Sequence, residues 1–422
     1  MMNKKINILL SSILGISLTF GIMEVPVLAD SSVQAVSSYT TSDKSTDNNI
    51  VSKDNDIEQN GLKISIDKIV ATKNKLQVTV KVESQKPLEE TNGGDVQVLL
   101  TYGDGKDYNY EMSHESIDDK TMKIILEREV NGEGIPEKGN LRVDLLIPKY
   151  KINVGMDANV DFSESFKNTI EKDVSVNIPE FNFTVKKVES NALGTEVTYS
   201  KEEKRDSDED QDIDFATPLI LKIGDKMYRT MNEMDYPSED DKGNTRTMIG
   251  SYNARVATYD KVKGQNTISI IPIVCSMTKE DRIKIYDDIY KNVDYKKDDV
   301  NKDTTNDISY TKEFDFSDGS KGEIYKIERS DNNLKVYCKG DTEKESLLMA
   351  STMCVYPKME EGKTVHYDYE SAKNMSFYRD PDDSLGYIVE FDNLEKDKKM
   401  ELNFDYAIKE IDKYKIDDEI QL

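Results

Sequence analysis

The stretch GLKISIDKIVATKNKLQVTV, residues 61–80, decides the fold prediction. Apolar residues occupy alternate positions through Leu62, Ile64 and Ile66, and the alternation resumes after a polar segment at residues 72–75. Alternation with a period of two places one face of a β-strand in a core and leaves the other face in water. The stretch therefore predicts a β-hairpin that turns at residues 72–75.

The same pattern returns twice further along the chain. When Ile69 is aligned with Val188 and Ile327, three segments match, the third more loosely, and each is followed by a polar turn and a second alternating run. The aligned positions are 119 and 139 residues apart, which is the size of a domain and too long for a solenoid repeat. We therefore predict three domains that each begin with the same hairpin. The matching segments are residues 64–69, 183–188 and 322–327, and the second runs are residues 76–80, 195–199 and 334–338.

Short strand-like runs separated by Gly, Asp, Asn and Pro follow each hairpin, which is typical of antiparallel sandwiches. The fold prediction is all-β, with tandem immunoglobulin-like antiparallel β-sandwich domains at residues 60–176, 177–308 and 309–422. The runs are DVQVLLTYGDG, MKIILEREV and LRVDLLIP in the first domain, PLILKIG, NARVATYD and NTISIIPIV in the second, and LLMASTMCVYP, GYIVEFDN and KMELNFDY in the third.

One segment fits two secondary structures. Residues 278–281 form a capping-box sequence for a helix over residues 281–292, whereas residues 282–285 alternate like a strand. Both interpretations stay open from the sequence.

The amino terminus has the features of a secretory signal. Lys4 and Lys5 precede an apolar run at residues 6–23, and small residues end at Ala29, which predicts a signal peptide over residues 1–29 with cleavage after Ala29. The alternative is a membrane anchor formed by residues 6–23, since a span needs about 20 apolar residues. Residues 30–59 are rich in Ser, Thr, Asp and Asn and predict a disordered spacer. We therefore expect a secreted, extracellular or cell-surface protein.

The charge of the chain excludes one class of partner. It carries 82 acidic and 57 basic residues, a formal net charge of −25. Nucleic acid and anionic lipid require clusters of Lys and Arg that replace their counterions. No nucleic-acid partner is expected, and membrane contact is expected only through an uncleaved signal.

Cysteine is too sparse for a disulfide scaffold. The chain has three cysteines, of which Cys338 and Cys354 fall in the third predicted domain. A hairpin turning near residues 341–345 would place Cys338 opposite Met349, so buried free thiols are the expectation and a bridge is the alternative.

Catalytic motifs are not found in the sequence. The two histidines, His114 and His366, fall in different predicted domains, and no nucleophile elbow, phosphate loop, zinc spacing or dinucleotide fingerprint appears. We therefore predict no enzyme, no catalytic residue, no cofactor and no metal ligand. Paired carboxylates for glycoside hydrolysis depend on spatial separation, so a carbohydrate-active protein stays an alternative, although the chain has no Trp for sugar stacking.

The densest acidic run, DSDEDQDID at residues 206–214, resembles a calcium loop only superficially. Gln211 stands where an EF-hand needs its turn glycine, and Thr217 stands where it needs the bidentate glutamate. An EF-hand is rejected. A long charged loop is the simpler interpretation, and weak calcium binding is left open.

The segment FNFTVKKVESNALGTEVTYS, residues 181–200, preceded by VDFSESFKNTIEKDVSVNI, residues 160–178, resembles the junction in extracytoplasmic domain pairs of Gram-positive anti-sigma-factor-like and secreted proteins. In those families a domain of unknown function ends in an F-x-F strand and leads into an Ig-like domain. Phe162 and Phe166 stand near that ending, and residues 191–195 occupy the turn usually written Ser-Pro-x-x-Thr. The resemblance covers residues 60–310 and implies an extracytoplasmic sensing or binding module. Only five residues precede the apolar run, so the cytoplasmic sigma-binding part is absent and sigma-factor binding is not implied.

The sequence therefore predicts a non-enzymatic, multidomain cell-envelope protein that binds a protein partner or a wall component. A structural stalk or spacer is the first alternative, and a carbohydrate-active protein is the second. Sandwich folds support all three roles, so fold alone does not choose between them.

Overall fold

The predicted all-β class is confirmed in the computed structural model, where the described residues form antiparallel sheets with three short helices, part of a fourth and one parallel strand pair. No helix among these residues is long and apolar enough to cross a membrane. The predicted signal peptide, most of the spacer and the acidic run 206–214 lie outside the described residues. The structure describes residues 56–88, 96–102, 111–117, 120–129, 134–204, 219–238, 245–278, 280–281, 283–284, 303–330, 332–357, 375–392, 394, 399–404 and 406–422.

The first core lies between a five-stranded sheet, order β1-β2-β3-β6-β5, and a three-stranded sheet, order β4-β7-β8. Buried side chains from both sheets, including Ile64, Val80 and Leu145, form one cluster. Phe162 and Phe166 stack at 6.1 Å where this core ends. The elements are β1 (Ile57–Gln59), β2 (Leu62–Ala71), β3 (Lys75–Ser84), β4 (Gln97–Thr101), β5 (Glu111–Ser116), β6 (Thr121–Glu129), β7 (Lys138–Ile147), β8 (Ile152–Asp161) and helix α1 (Ser163–Lys167).

The second core lies between a sheet of order β14-β15-β11-β10-β9 and strands β13-β12-β16. Phe183 stacks on Tyr199 at 4.3 Å within it. The predicted strand NARVATYD ends early, because β15 stops at Ala254 and a turn and a short helix follow. The elements are β9 (Ile170–Ile178), β10 (Phe183–Asn191), β11 (Gly194–Lys204), β12 (Leu219–Ile223), β13 (Lys226–Arg229), β14 (Met231–Pro237), β15 (Thr245–Ala254), α2 (Tyr259–Val262) and β16 (Ile268–Cys275).

The third core lies between strands β19-β20-β21-β24-β23 and a sheet of order β17-β18-β25-β22, in which β18 and β25 run parallel. Phe377 and Phe391 are fully buried in it. The elements are β17 (Asp303–Thr305), β18 (Ile308–Tyr310), β19 (Glu313–Asp315), β20 (Lys321–Ser330), β21 (Asn333–Gly340), α3 (Glu343–Thr352), β22 (Cys354–Pro357), β23 (Met375–Arg379), β24 (Tyr387–Phe391), β25 (Met400–Asn403), β26 (Tyr414–Ile416) and β27 (Ile420–Gln421).

The second and third cores share one continuous sheet. Strand β13 pairs with β23 through Met227 and Phe377, so that strands of both cores lie in a single ten-stranded sheet. The carboxyl-terminal end of the chain returns to strand β16. Both β26 and β27 pair with β16, and Leu422 is buried in the second core. The last strand, β27, predicted in the third domain, therefore packs with the second core, whereas Tyr414 and Ile416 of β26 pack with the third.

The three predicted hairpins are present as β2–β3, β10–β11 and β20–β21, all antiparallel. Each carries a β-bulge at the same aligned position. A bulge adds one unpaired residue, bends its strand and strengthens the twist, so each copy curves in the same way over its core. The bulges fall between Ile66 and Lys68, between Val185 and Lys187, and between Ile324 and Lys326.

Three of the predicted boundaries, those at residues 59–60, 176–177 and 308–309, fall within strands or hairpins of the described structure. The boundary at residues 176–177 falls inside β9, which pairs with β10 through a turn at Pro179–Phe181 and so belongs to the second core. The boundary at residues 308–309 falls inside β18 of the third core. The predicted spacer ends before Ile57, because residues 57–59 pair with β2 across a two-residue turn, Asn60 and Gly61, with positive φ at both. Asn-Gly favours this hairpin turn.

Residues 347–352, predicted as strand at the start of LLMASTMCVYP, form helix α3 instead, together with residues 343–346 before them. Thr342 caps it, with its backbone N–H donating to Glu345 Oε2 at 2.6 Å in a capping box. The hairpin considered for Cys338 and Cys354, with a turn near residues 341–345, is therefore not formed. All three cysteines are free, as expected; Cys275 and Cys338 are buried, whereas Cys354 is half-buried.

The open choice at residues 278–285 is resolved in favour of a helix. Asp281 N–H donates to Thr278 Oγ1, and Thr278 N–H donates to Asp281 Oδ2, both at 3.1 Å. Residues 280, 281, 283 and 284 are helical, and the rest of the predicted helix lies outside the described residues.

Candidate functional site

The structure brings no catalytic set together among the residues it describes. His114 lies half-buried on β5, and burial lowers the pKa of its imidazole below the ordinary value. His366 and the acidic run 206–214 lie outside the described residues. Within the described ranges, no group of three or more His, Cys, Asp or Glu side chains is placed to hold a metal ion.

A groove of about 810 Å³, which we call the joint groove, opens where the second and third cores meet. It runs between helix α3 and the face of β12, β13 and β16 that is turned away from the second core. The segment after β26, residues 417–419, lines another side. Its apolar lining is mainly aliphatic, with two tyrosines beside it, and comprises Met227, Ile271, Leu347, Tyr378, Pro381, Tyr387 and Ile416.

Helix α3 reaches its place because two glycines leave space for it. Gly322 and Gly340 are paired across β20 and β21, and a Cβ on Gly340 would lie 2.3 Å from Glu345 Cβ. Gly340 N–H also donates to Ser346 Oγ at 2.8 Å. The aligned pair in the first hairpin is Ile64 and Val82, which fill that core themselves. The groove wall is thus a feature of the third copy of the repeat that the first copy lacks.

The first turn of α3 is anchored to the sheet by a charged and aromatic contact. Arg379 donates two hydrogen bonds to the Glu343 carboxylate, and Tyr387 Oη donates a third at 2.6 Å. The Arg379 guanidinium also lies 4.5 Å from the centre of the Tyr387 ring. Burial, followed by the bond to Glu343, raises the pKa of Tyr387 far above its ordinary value. Tyr387 is therefore a neutral hydrogen-bond donor at physiological pH.

The segment after β26 contributes carboxylates to the groove. Glu419 accepts hydrogen bonds from Lys222 Nζ and Ser269 Oγ, both at 2.6 Å, and these bonds lower the pKa of its carboxyl group. Asp417 pairs with Lys415 through Oδ1, while its buried Oδ2 has no hydrogen-bond partner among the described residues. Exposed Asp418 lies between them in sequence. This side of the groove is predominantly acidic.

On the opposite face of the joint between the second and third cores, Glu390 on β24 links strands of both cores. Its carboxylate accepts from Lys226 Nζ on β13 and forms an ion pair with Lys335 Nζ on β21, both at 2.7 Å, and Tyr378 Oη donates to it at 3.1 Å. Burial alone would raise the pKa of Glu390, but the bonds from Lys226 and Lys335 outweigh burial and lower it to about 2. Glu390 thus connects strands of both cores beside the backbone contact of β13 with β23.

Glu390→Gln is expected to lower the free energy of unfolding by about 1 kcal/mol at neutral pH, because Glu390 is largely buried whereas its lysine partners are half exposed. The folded pKa lies below the ordinary 4.5, so this stabilisation is present above pH 4.5 and disappears as the pH falls towards 2. Urea unfolding at several pH values measures it. Glu323→Gln, which removes an exposed partner of Lys339, is the matched control; an equal loss in both variants would contradict the role given to Glu390.

A second opening, of about 650 Å³, lies on the outer face of the β14-β15-β11-β10-β9 sheet. Its lining residues, such as Thr184, Thr198 and Ser200, all come from that sheet and its β9–β10 turn. No helix or second sheet contributes to it, so it offers fewer independent contacts than the joint groove.

The first and second cores meet through ion pairs. Arg255 donates two hydrogen bonds to the Glu127 carboxylate at 2.8 and 3.2 Å, and Gln77 Nε2 donates to the same carboxylate at 2.7 Å. Lys75 lies 3.5 Å from Glu196 nearby. A bidentate arginine–carboxylate contact fixes orientation as well as distance, so these side chains restrain the two cores relative to each other.

Comparison with known proteins gives no family for the chain. No protein-family model and no curated protein matches it. Among solved structures, the crystal structure of a conserved domain protein from Bacillus anthracis is similar, with 16% sequence identity over 52% of this chain and 75% of that chain. The TM-score is 0.33, so this likeness carries no argument about fold or function.

Proposed function

We propose that the chain is a secreted or cell-envelope-associated, non-enzymatic binding protein whose tandem immunoglobulin-like sandwich domains present the joint groove to a protein partner or wall component. The groove supports this proposal best, since it combines an aliphatic floor with polar walls from several elements. Concave, mainly apolar sites with a few placed polar groups are typical of binding sites. The signal peptide predicted from the sequence at residues 1–29 supports an extracytoplasmic setting.

Capture from a cell-envelope extract tests the proposal when it is combined with a groove variant. Ile416→Asn removes apolar surface from the floor without changing charge, and we expect it to weaken a saturable partner about fivefold. Ile420→Asn is the matched control, because Ile420 is also half-buried on a terminal strand but packs on the second core outside the groove. A partner held equally well by wild type and Ile416→Asn, or no saturable partner, would reject this role for the groove.

A structural stalk is the second candidate, supported by the Arg255–Glu127 contact and by the sheet shared between the second and third cores. A stalk needs fixed spacing and no ligand. Small-angle scattering of Arg255→Gln distinguishes the two functions: altered spacing with no saturable partner favours the stalk, whereas a groove-dependent partner favours the binding protein.

A further inference from the structure

We propose that the joint groove binds a basic, aliphatic segment of a partner polypeptide, with a lysine stem on the apolar floor and its ammonium group at the carboxylates beside β26 and β13. This inference rests on the proposed function and names the ligand chemistry. Three observations support it: the aliphatic floor of the groove, the charged side chains of the lining that have no internal partner, and the volume of the groove.

The floor fits alkyl chains. Its apolar lining is mainly aliphatic, and the ring of Tyr387 is only 2% exposed beneath Arg379. The other lining tyrosine, Tyr378, is half-buried, with Lys226 Nζ 5.6 Å from its ring centre and its hydroxyl donating to Glu390, so the groove offers little aromatic surface for stacking. Sugar and nucleobase sites rely on such surfaces. Lysine stems and branched aliphatic side chains instead bury apolar length while a charged end stays at the rim.

The charges that remain after internal pairing favour a cation. The lining holds three basic and five acidic side chains. Arg379 is bonded to Glu343, and Lys222 to Glu419. Within the described part of the chain, the side chains of Asp225, Asp418 and Lys344 make no hydrogen bond or ion pair, which leaves an excess of carboxylate.

The Asp417 carboxylate gives a second reason to expect a ligand that carries a hydrogen-bond donor. Its Oδ2 atom is buried without a hydrogen-bond partner in the described part of the chain, and Asp417 belongs to the groove lining. A buried acceptor without a partner costs free energy, and the cost is larger for a charged group. An incoming N–H donor that reached this atom would remove that cost, whereas an anionic ligand would increase it.

The size of the groove favours a polypeptide over a small amine. A volume of about 810 Å³ is in the range of sites that enclose drug-sized ligands, and one alkylamine would fill a small part of it. A segment with alternating aliphatic and charged side chains satisfies both the floor and the rim.

Calorimetric titration of the full chain with a short, end-blocked peptide of alternating leucine and lysine tests the inference. Saturable binding is expected, and Asp418→Lys and Asp225→Lys should each weaken it about fivefold, while Lys344→Glu should strengthen it about threefold. Asp412→Lys is the matched control, because Asp412 is exposed and outside the groove lining. The same peptide with glutamate in place of lysine should not bind.

Several outcomes would overturn the inference. Equal weakening by Asp412→Lys and Asp418→Lys would show general attraction to an acidic surface, and equal binding of the glutamate peptide would remove the preference for a cation. Full displacement of the peptide by an equimolar simple alkylamine would assign the site to a small amine. If no peptide binds but an envelope partner still depends on Ile416, the proposed function stands and this inference fails.

Discussion

Gly340→Val is expected to lower the free energy of unfolding by about 3 kcal/mol and to displace helix α3 from the sheet. Any Cβ at this position would lie 2.3 Å from Glu345 Cβ and 3.0 Å from Ser346 N, atoms close to the helix backbone that cannot rotate away. Hydrogen exchange of the α3 amides, measured beside urea unfolding, reports both effects. Faster exchange at residues 343–352 is expected, because the helix can no longer pack against the sheet.

Asn333→Val is the control for this prediction. It places the same side chain on the same strand, β21, at an exposed position, where most substitutions change stability by less than about 0.5 kcal/mol. Since α3 forms one wall of the joint groove, Gly340→Val should also abolish peptide binding while Asn333→Val preserves it. Unchanged exchange of the α3 amides in Gly340→Val would contradict the packing described for the helix.

The sequence predicted the repeated hairpins because their apolar alternation reports one buried face directly. Residues 62–66 illustrate this, with Leu62, Ile64 and Ile66 all buried in β2. The β-bulge that the three hairpins share leaves no such pattern in the sequence. The bulged positions are an aspartate, a lysine and a tyrosine, and a bulge depends on pairing with the neighbouring strand rather than on residue type.

Helix α3 was missed for a physical reason. Every residue from Glu345 to Thr352 is buried, so the helix shows no polar face and no period of 3.6 residues. Its hydroxyls bond to its own backbone, as Thr352 Oγ1 does to the Leu348 carbonyl at 2.7 Å. The capping-box sequence at residues 342–345 was the available signal, and Gly340 before it was the second.

The joint groove was beyond sequence reasoning. Its lining comes from residues as distant as Lys222 and Glu419, brought together only when the terminal strands cross back to β16. Loop position and residue type indicate neither this crossing nor the pairing of β13 with β23.

Leu348→Ala is expected to lower the free energy of unfolding by about 3 kcal/mol, because Leu348 is fully buried and truncation leaves a cavity in the third core. Leu347→Ala should cost a similar amount, since Leu347 is 3% exposed. On a half-buried strand, which the sequence pattern predicts here, neighbouring side chains point to opposite faces and only one of the two would be costly. The pair of variants therefore tests helix against strand.

Leu99→Ala is the matched control in the Leu348 experiment. Leu99 is 40% exposed on edge strand β4, so its truncation should change stability by less than about 0.5 kcal/mol. A large loss in Leu348→Ala beside a small loss in Leu347→Ala would favour the predicted strand at residues 347–352 and remove the groove wall. Large losses in both would support a helix that is buried over most of its surface, which the glycines at positions 322 and 340 make sterically possible.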